Sequence, residues 1–496
     1  MEEQKQSNSS SITSWLGKAP SWKFSIYAMG WAFATYFCMY AFRKPFGAAT
    51  FEGLKFLGTE ITLKNAFISS QIIGYAISKY YGCKFCTEIS RSQQAKALVV
   101  MIMVAESALL GFALLPGNFK VLAILINGLP LGMVWGLVSR YLEGRKTAEL
   151  LFAGLSCSYI VASSSVKTIG GWILVPGQLK AAAEVLAPSD MGTGMFLAVE
   201  TGPSITWSLT QQASADAIIQ TAEFWMPVTV GAIFFIPFAV SVYFLNLLPE
   251  PSIADISSRS ERTVMDNKDR SLFFRQFMGG MIMLLILYFF LTAYRDVRDM
   301  YMKEVFIAMK YPFDASLFIK SDLLSGVGIM VVMALLNLAK DHRRGLIAVF
   351  CVMMGGMLLM GSATILKDLE VIDGLWWMIL IGFGAYLAYV PFGAVLFERI
   401  MASTRAVGTA VFAIYLSDAI GYTGVVGTQI YKDLGQAELD YYQFLRFFTY
   451  GMAALGTVLF ILSGLYFLAK VKVAQSAGGD GPGTVQEDDS RERDSA

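Results

Sequence analysis

Twelve stretches of about 20 predominantly apolar residues divide this chain, and a chain so divided has few ways to fold. They run roughly over 24–42, 65–83, 97–115, 120–141, 150–176, 224–248, 272–294, 317–339, 345–366, 375–398, 406–431 and 446–469. A bilayer core takes about 20 apolar residues to cross as a helix, because each backbone amide there must be bonded within its own segment. The predicted fold is an all-α membrane protein of twelve transmembrane helices in two six-helix halves, 24–248 and 272–469. A cytoplasmic tail (1–23) precedes them, a cytoplasmic linker (249–271) joins them, and a disordered cytoplasmic tail (470–496) follows.

Composition agrees. Apolar residues make up 55% of the 496 and charged residues 16%, against about 25% charged in a soluble domain. A net charge of +1 gives no basic stripe for nucleic acid. Five cysteines in this length are no disulfide framework. Cys83-x-x-Cys86 lacks the second pair that a zinc site of about four ligands needs. No GxxxxGK[ST] loop, Gly-x-Ser-x-Gly elbow or His-Glu-x-x-His pair occurs, so neither ATP, a metal nor another cofactor is implied. Residues 1–20 hold no signal-peptide core, and the first span is expected to direct insertion.

Basic residues set the orientation. With even spans the termini share one side, and 23 of the 39 Lys and Arg residues fall there against 14 opposite, Lys79 and Lys167 lying inside spans. Both termini are therefore expected in the cytoplasm. The longer loop 177–222 falls on the other side, and it carries no catalytic pattern. Gly132 and Gly136, four apart in span 4, fit close helix packing.

The halves repeat. Span 1 ends in Ala41-Phe42-Arg43 and span 7 in Ala293-Tyr294-Arg295, 252 residues later. Short basic loops correspond as well, Lys84, Arg91 and Lys96 with Lys340, Arg343 and Arg344, and Arg145 corresponds to Arg405. Such paired halves put a transported solute near the midplane between them.

Charges inside the hydrocarbon cost several kcal/mol, roughly 3 on insertion scales, and so mark a cavity, a partner or a span edge. Arg43 and Arg295 stand at the far ends of their apolar runs, roughly 30 Å along the helix axis. Two readings are open for them: interfacial anchors, or two guanidiniums facing one cavity from opposite walls, whose forks fit phosphate or carboxylate. Asp296 and Asp299 stand close enough to neutralise Arg295. Glu106 in span 3 and Lys167 in span 5 fit a structural ion pair as well as a functional one. Asp418, beside Ser417 and near Tyr415 and Tyr422, fits a proton site or a carboxylate satisfied by neighbouring hydroxyls.

Tyr40-Ala41-Phe42-Arg43-Lys44-Pro45-Phe46 resembles the first-helix signature of the organophosphate:phosphate antiporters, a branch of the major facilitator superfamily. The resemblance implies that Arg43 and Arg295 hold a phosphate. It also implies a role for Lys79, which follows Gly74-Tyr75 as the family's helix-2 Lys follows a Gly-aromatic start. Asp341-His342-Arg343-Arg344 resembles the superfamily's acidic-basic loop motif. Two departures stand out: those antiporters use a membrane-embedded His, whereas the one His here is His342, and loop 2–3 lacks the usual Asp-Arg core. The chain also resembles a bacterial multi-pass family marked by Arg-Lys-Pro-Phe after span 1 and Arg-Asp-x-Arg-Asp after span 7, matched by Arg295-Asp296-Val297-Arg298-Asp299. That resemblance implies a fold and no activity.

The expected function is secondary transport of a small anionic solute, phosphorylated or carboxylated, by a monomer in a bacterial inner membrane. Arg43, Arg295, Tyr40, Lys79 and Arg298 are expected to bind it, and Asp418 or Glu106 to carry a coupling proton. The same fold also serves a receptor sensing such a solute. A membrane enzyme acting on a lipid headgroup is disfavoured, because neither an intramembrane His nor a nucleophile motif occurs.

Overall fold

The computed structural model describes residues 11–143, 145, 147–174, 203–251, 255, 267–339, 341–404, 410–435 and 440–477. Among these, twelve helices cross the bundle. The first half comprises α1 (Ser21–Tyr40), α2 (Leu63–Glu88), α3 (Arg91–Leu114), α4 (Phe119–Leu142), α5 (Ala148–Ile173) and α6 (Pro203–Asn246). The second comprises α7 (Met278–Met300), α8 (Ser316–Asn337), α9 (His342–Asp368), α10 (Gly374–Pro391), α11 (Ala410–Gly435) and α12 (Tyr441–Ala477). A π turn at Phe392–Leu396 and a helix at Phe397–Thr404 continue α10. Shorter helices lie at Ser11–Lys18, Asn267–Gln276 and Met302–Ala308.

Nine of the twelve, judged by length and composition among the described residues, are apolar enough to cross a membrane. The exceptions are α1, α2 and α11. These three are diluted by Tyr36, Tyr40, Gln71, Lys79 and Asp418, which are buried inside the protein. Gln71 bonds within the first half, while the tyrosines, Lys79 and Asp418 face the space between the halves, where α2 packs on α11.

Several helix ends depart from the apolar runs, three of them in ways that bear on the site or the tails. The apolar run of span 7 predicts a stop at residue 294, where the charges begin, yet α7 continues to Met300. Its charged last turns are buried against the first half, where ion pairs replace solvent. Helix α6 begins at Pro203, inside the expected 177–222 loop, and α12 runs to Ala477, inside the expected tail. The rest of that loop, most of the 249–271 linker and residues 478–496 lie outside the described residues.

Glycines let α4 approach α2. A Cβ at Gly132 would stand 2.7 Å from Ser78 Cβ and from the Tyr75 carbonyl oxygen, so the small-residue stripe is a packing seam as expected. Gly128, one turn earlier, meets the backbone of Gln71 and Tyr75 in the same way. Gly355 on α9 has no heavy atom within 4 Å of its would-be Cβ. Gly128→Leu is therefore expected to lower the thermal unfolding temperature in detergent by several degrees, while Gly355→Ala leaves it unchanged. A differential scanning measurement in which both variants melt like the parent would contradict this packing.

Candidate functional site

Helix α1 does not reach Arg43. It ends at Tyr40, and Ala41–Lys44 form a turn leading into a short 3-10 helix at Pro45–Ala48. This irregular backbone is almost fully buried, so its carbonyls need partners inside the protein. Gln71 Nε2 donates to the Arg43 carbonyl at 3.0 Å, and Asn127 Nδ2 donates to that of Phe42 at 2.9 Å. Gln71 also donates to Asn127 Oδ1 at 2.8 Å, which ties α2 and α4 to the turn. Arg295 sits instead within the continuous α7.

Both arginines are buried between the halves, Arg43 at 1% exposure and Arg295 at 8%. The Arg43 guanidinium lies 3.9 Å from the Tyr75 ring centroid, 5.9 Å from that of Tyr422 and 6.0 Å from that of Tyr40. Arg295 lies 4.7 Å from the Tyr389 centroid and 5.7 Å from that of Tyr159. Tyr40 and Tyr422 stand within electrostatic reach of both. Neither Nε has a hydrogen-bond partner, and neither side chain has an ion-pair partner among the described residues.

The acids beside Arg295 do not neutralise it. Lys44 Nζ lies 3.1 Å from Asp296 Oδ1 and 2.8 Å from Asp299 Oδ2. Lys167 Nζ lies 2.7 Å from Asp299 Oδ1, to which Ser163 also donates at 2.6 Å. Lys44 and Asp296 are 252 residues apart, the spacing of the repeat, so equivalent positions of the two halves touch near their common axis. Opposite charges stand there, where a repeated lysine would repel. Lys64 pairs with Glu304 at the same end. These pairs fasten the halves together on the face away from the termini.

The expected Glu106–Lys167 pair does not form. Lys167 turns to Asp299, whereas Glu106 faces the backbone of Gly231 on α6, away from the central cavity, with Oε2 unpartnered. Arg298 is likewise outside the cavity. It pairs with Asp322 at 2.8 Å, donates to the Met378 carbonyl at 2.7 Å and packs against Gly382, and Ser164 donates to the same Asp322. Asp418 does line the cavity: Lys79 Nζ lies 2.9 Å from its Oδ2 and Tyr288 donates to Oδ1 at 2.8 Å.

The central cavity is walled by both halves, with Tyr36, Tyr40, Tyr75, Lys79 and Tyr159 on one side and Tyr288, Arg295, Tyr389, Asp418 and Tyr422 on the other. Its volume is about 30 Å³, room for a water or two; Arg295 lines it, and Arg43 lies behind Tyr75 and Tyr422 rather than on its wall. Six of these tyrosines, all but Tyr40, are not among the solute-binding residues expected from the sequence. For three of them the signal is spacing: Tyr36 and Tyr40, Tyr75 and Lys79, and Asp418 and Tyr422 each stand four apart, one above the other on a helix face, whereas Tyr159, Tyr288 and Tyr389 carry no such mark. Among the described residues no group of three or more His, Cys, Asp or Glu could hold a metal. Arg405, Lys340 and the side chains of Cys83 and Lys84 lie outside the described residues.

A sequence profile described as a family of unknown function (DUF5690) matches residues 45–199 and 204–470. The chain belongs to that family. The match takes in Lys79, Arg295 and Asp418 and begins two residues after Arg43. No curated protein sequence matches. Among solved structures the chain is similar to a D-xylose–proton symporter, with 15% identity and a TM-score of 0.54 over 89% of this chain and 97% of that one. That likeness shows the fold, twelve helices in two six-helix halves. A bacterial homologue of the human drug peptide transporters PepT1 and PepT2 shares 13% identity, with a TM-score of 0.49 over 91% of this chain and 99% of that one. A mutant form of the nucleoside transporter NupG shares 14%, with a TM-score of 0.47 over 90% and 99%.

The fastening carries its own test. Asp299 answers two lysines and Asp296 one, and leaving a buried charge without its partner costs about 3–5 kcal/mol. Asp299→Asn is therefore expected to lower the unfolding temperature more than Asp296→Asn. Equal losses, or a larger loss for Asp296→Asn, would contradict the pairing.

Proposed function

We propose that this protein is a secondary transporter that moves a small anionic solute, bearing a phosphate or carboxylate group, by alternating access between its two halves. The observation that carries the reading is the pair of unanswered guanidiniums. In the same bundle Lys44, Lys64, Lys79, Lys167 and Arg298 each reach a carboxylate, while among the described residues Arg43 and Arg295 reach none. An unpaired charge buried in an apolar bundle is costly, and an anion bound between the two would relieve both at once.

The chemistry favours an oxyanion. A guanidinium donates two parallel N–H bonds to phosphate or carboxylate, and tyrosine hydroxyls around it add further donors. Tyr75 Oη is buried without a partner beside Arg43. One arginine comes from each half, so a solute held by both couples its binding to their closure. The symporter fold supports transport, and the excess of basic residues in the loops and tails on the side of the termini supports a cytoplasmic placement for that side. Tyr40 and Lys79 complete the site in this reading; Arg298, held by Asp322, has a structural part.

Arginine and lysine separate this reading from a purely structural one. Lysine keeps the charge and the stem but lacks the fork. Arg43→Lys and Arg295→Lys are expected to insert and fold normally and to weaken solute binding by about 1.5–3 kcal/mol each. The double variant should lose less than the sum, because both groups act on one anion. The measurement is uptake and counterflow in proteoliposomes over a panel of phosphorylated and carboxylated solutes. Lysine variants that transport every accepted solute like the parent would contradict the paired-arginine site.

A further inference from the structure

The cavity wall carries one carboxylate among the described residues, and a lysine is bound to it. Lys79 Nζ lies 2.9 Å from Asp418 Oδ2, across the boundary between the halves, and Tyr288 holds Oδ1 from α7 at 2.8 Å. Lys79 also lies 5.5 Å from the Tyr75 ring centroid and 5.7 Å from that of Tyr422. Arg43 addresses the same two rings. Lys79 is therefore a third cation beside the anion site, kept from it by Asp418.

The groups that face Asp418 are few among the described residues. They are Lys79 from α2, Tyr288 from α7, Tyr389 from α10 and Tyr422 one turn along α11 itself, with the Arg295 guanidinium of α7 on the same cavity wall. Trp135 of α4 is neutral, and Glu398 and Arg399, on the helix that follows the π turn, do not line the cavity. Among the described residues Lys79 is the one full charge in direct contact with Asp418.

We propose that the anion and a proton enter this site together, with Lys79 handed from Asp418 to the solute. This rests on the anion reading above. As the solute binds, a Lys79 N–H bond to Oδ2 is exchanged for one to a solute oxygen, and Lys79 stays protonated throughout. Asp418 keeps the Tyr288 hydrogen bond, loses its cation and gains a negative neighbour. A proton from solution then adds to its carboxylate. Protonation removes the one negative charge from the wall and frees a third cation, so it favours the anion, and linkage makes the anion favour the proton equally. One proton accompanies each solute, and its release when the solute leaves lets Asp418 recapture Lys79.

The test uses the purified full chain in lipid nanodiscs with inorganic phosphate and then succinate as probes. Binding is read by heat stabilisation, and the protonation of Asp418 by infrared difference spectroscopy. Asp418→Asn mimics the protonated acid in shape and charge. At pH 8 it is expected to bind the probe roughly 5- to 150-fold more tightly than the parent, the usual range of a coupling between two sites. In the parent, the probe should induce the C=O stretch of a protonated carboxylic acid, absent in Asp418→Asn. Probe binding that depends on Arg43 and Arg295 but brings no carboxylic acid signal would overturn the coupling and leave the anion site standing. Asp418→Asn binding no tighter than the parent would do the same. Failure of both probes to stabilise the parent would remove the anion site and the coupling with it.

Discussion

A charge inside a membrane protein must be answered from within the protein, and the interior of this one is arranged around how that is done on α7. Arg295, Asp296, Arg298 and Asp299 crowd into little more than one turn. Left to themselves they would neutralise one another. They do not, because Lys44 and Lys167 of the first half take Asp296 and Asp299, and Asp322 takes Arg298. The same ion pairs that join the halves thereby draw both neighbouring acids away from Arg295. Arg43 meets the equivalent condition by other means: its turn is held by Gln71 and Asn127 through backbone carbonyls, which leaves its guanidinium to tyrosine faces.

The consequence for transport is a division of the interface into layers. Lys44, Lys64, Lys167 and their acids close the face away from the termini. The tyrosine-lined cavity with Arg295 lies beneath them, and Lys79 with Asp418 bridges the halves at its wall. A cavity of about 30 Å³ holds no solute of the proposed class, so admission requires the cavity to widen. Beside these ion pairs the halves pack through α2 on α11 and α5 on α8, the helices along which one half would rock against the other. Tyr389 of α10 and Gly393 in the π turn both line the cavity, which places an irregular helix segment at the solute's edge, as such segments often are at functional sites.

Much of this was legible in the residues. The twelve apolar runs fix the helix count, and the Arg43–Arg295 spacing reveals the repeat. Helix ends were misplaced where hydropathy stops tracking structure. The charged end of α7 reads as a solvent boundary, but its charges are answered across the interface. The pairing of charges was hidden for the same reason: which lysine meets which acid depends on how the halves dock, and Lys44 stands 252 residues from Asp296. Glu106 and Lys167 read as possible partners because each is a charge of opposite sign set inside an apolar span, and only the docking of the halves gives Lys167 to Asp299. The tyrosine lining was visible only as a helical spacing within runs that also read as ordinary apolar packing.

The central claim is that one anion is held by two arginines, one from each half. A structure of the protein in lipid nanodiscs, determined with phosphate or a transported solute present, tests it most directly. The account predicts anion density in the tyrosine-lined cavity, with oxygens about 3 Å from both the Arg43 and Arg295 guanidiniums. Anion density elsewhere, with the two guanidiniums still packed only against tyrosine rings, would contradict it.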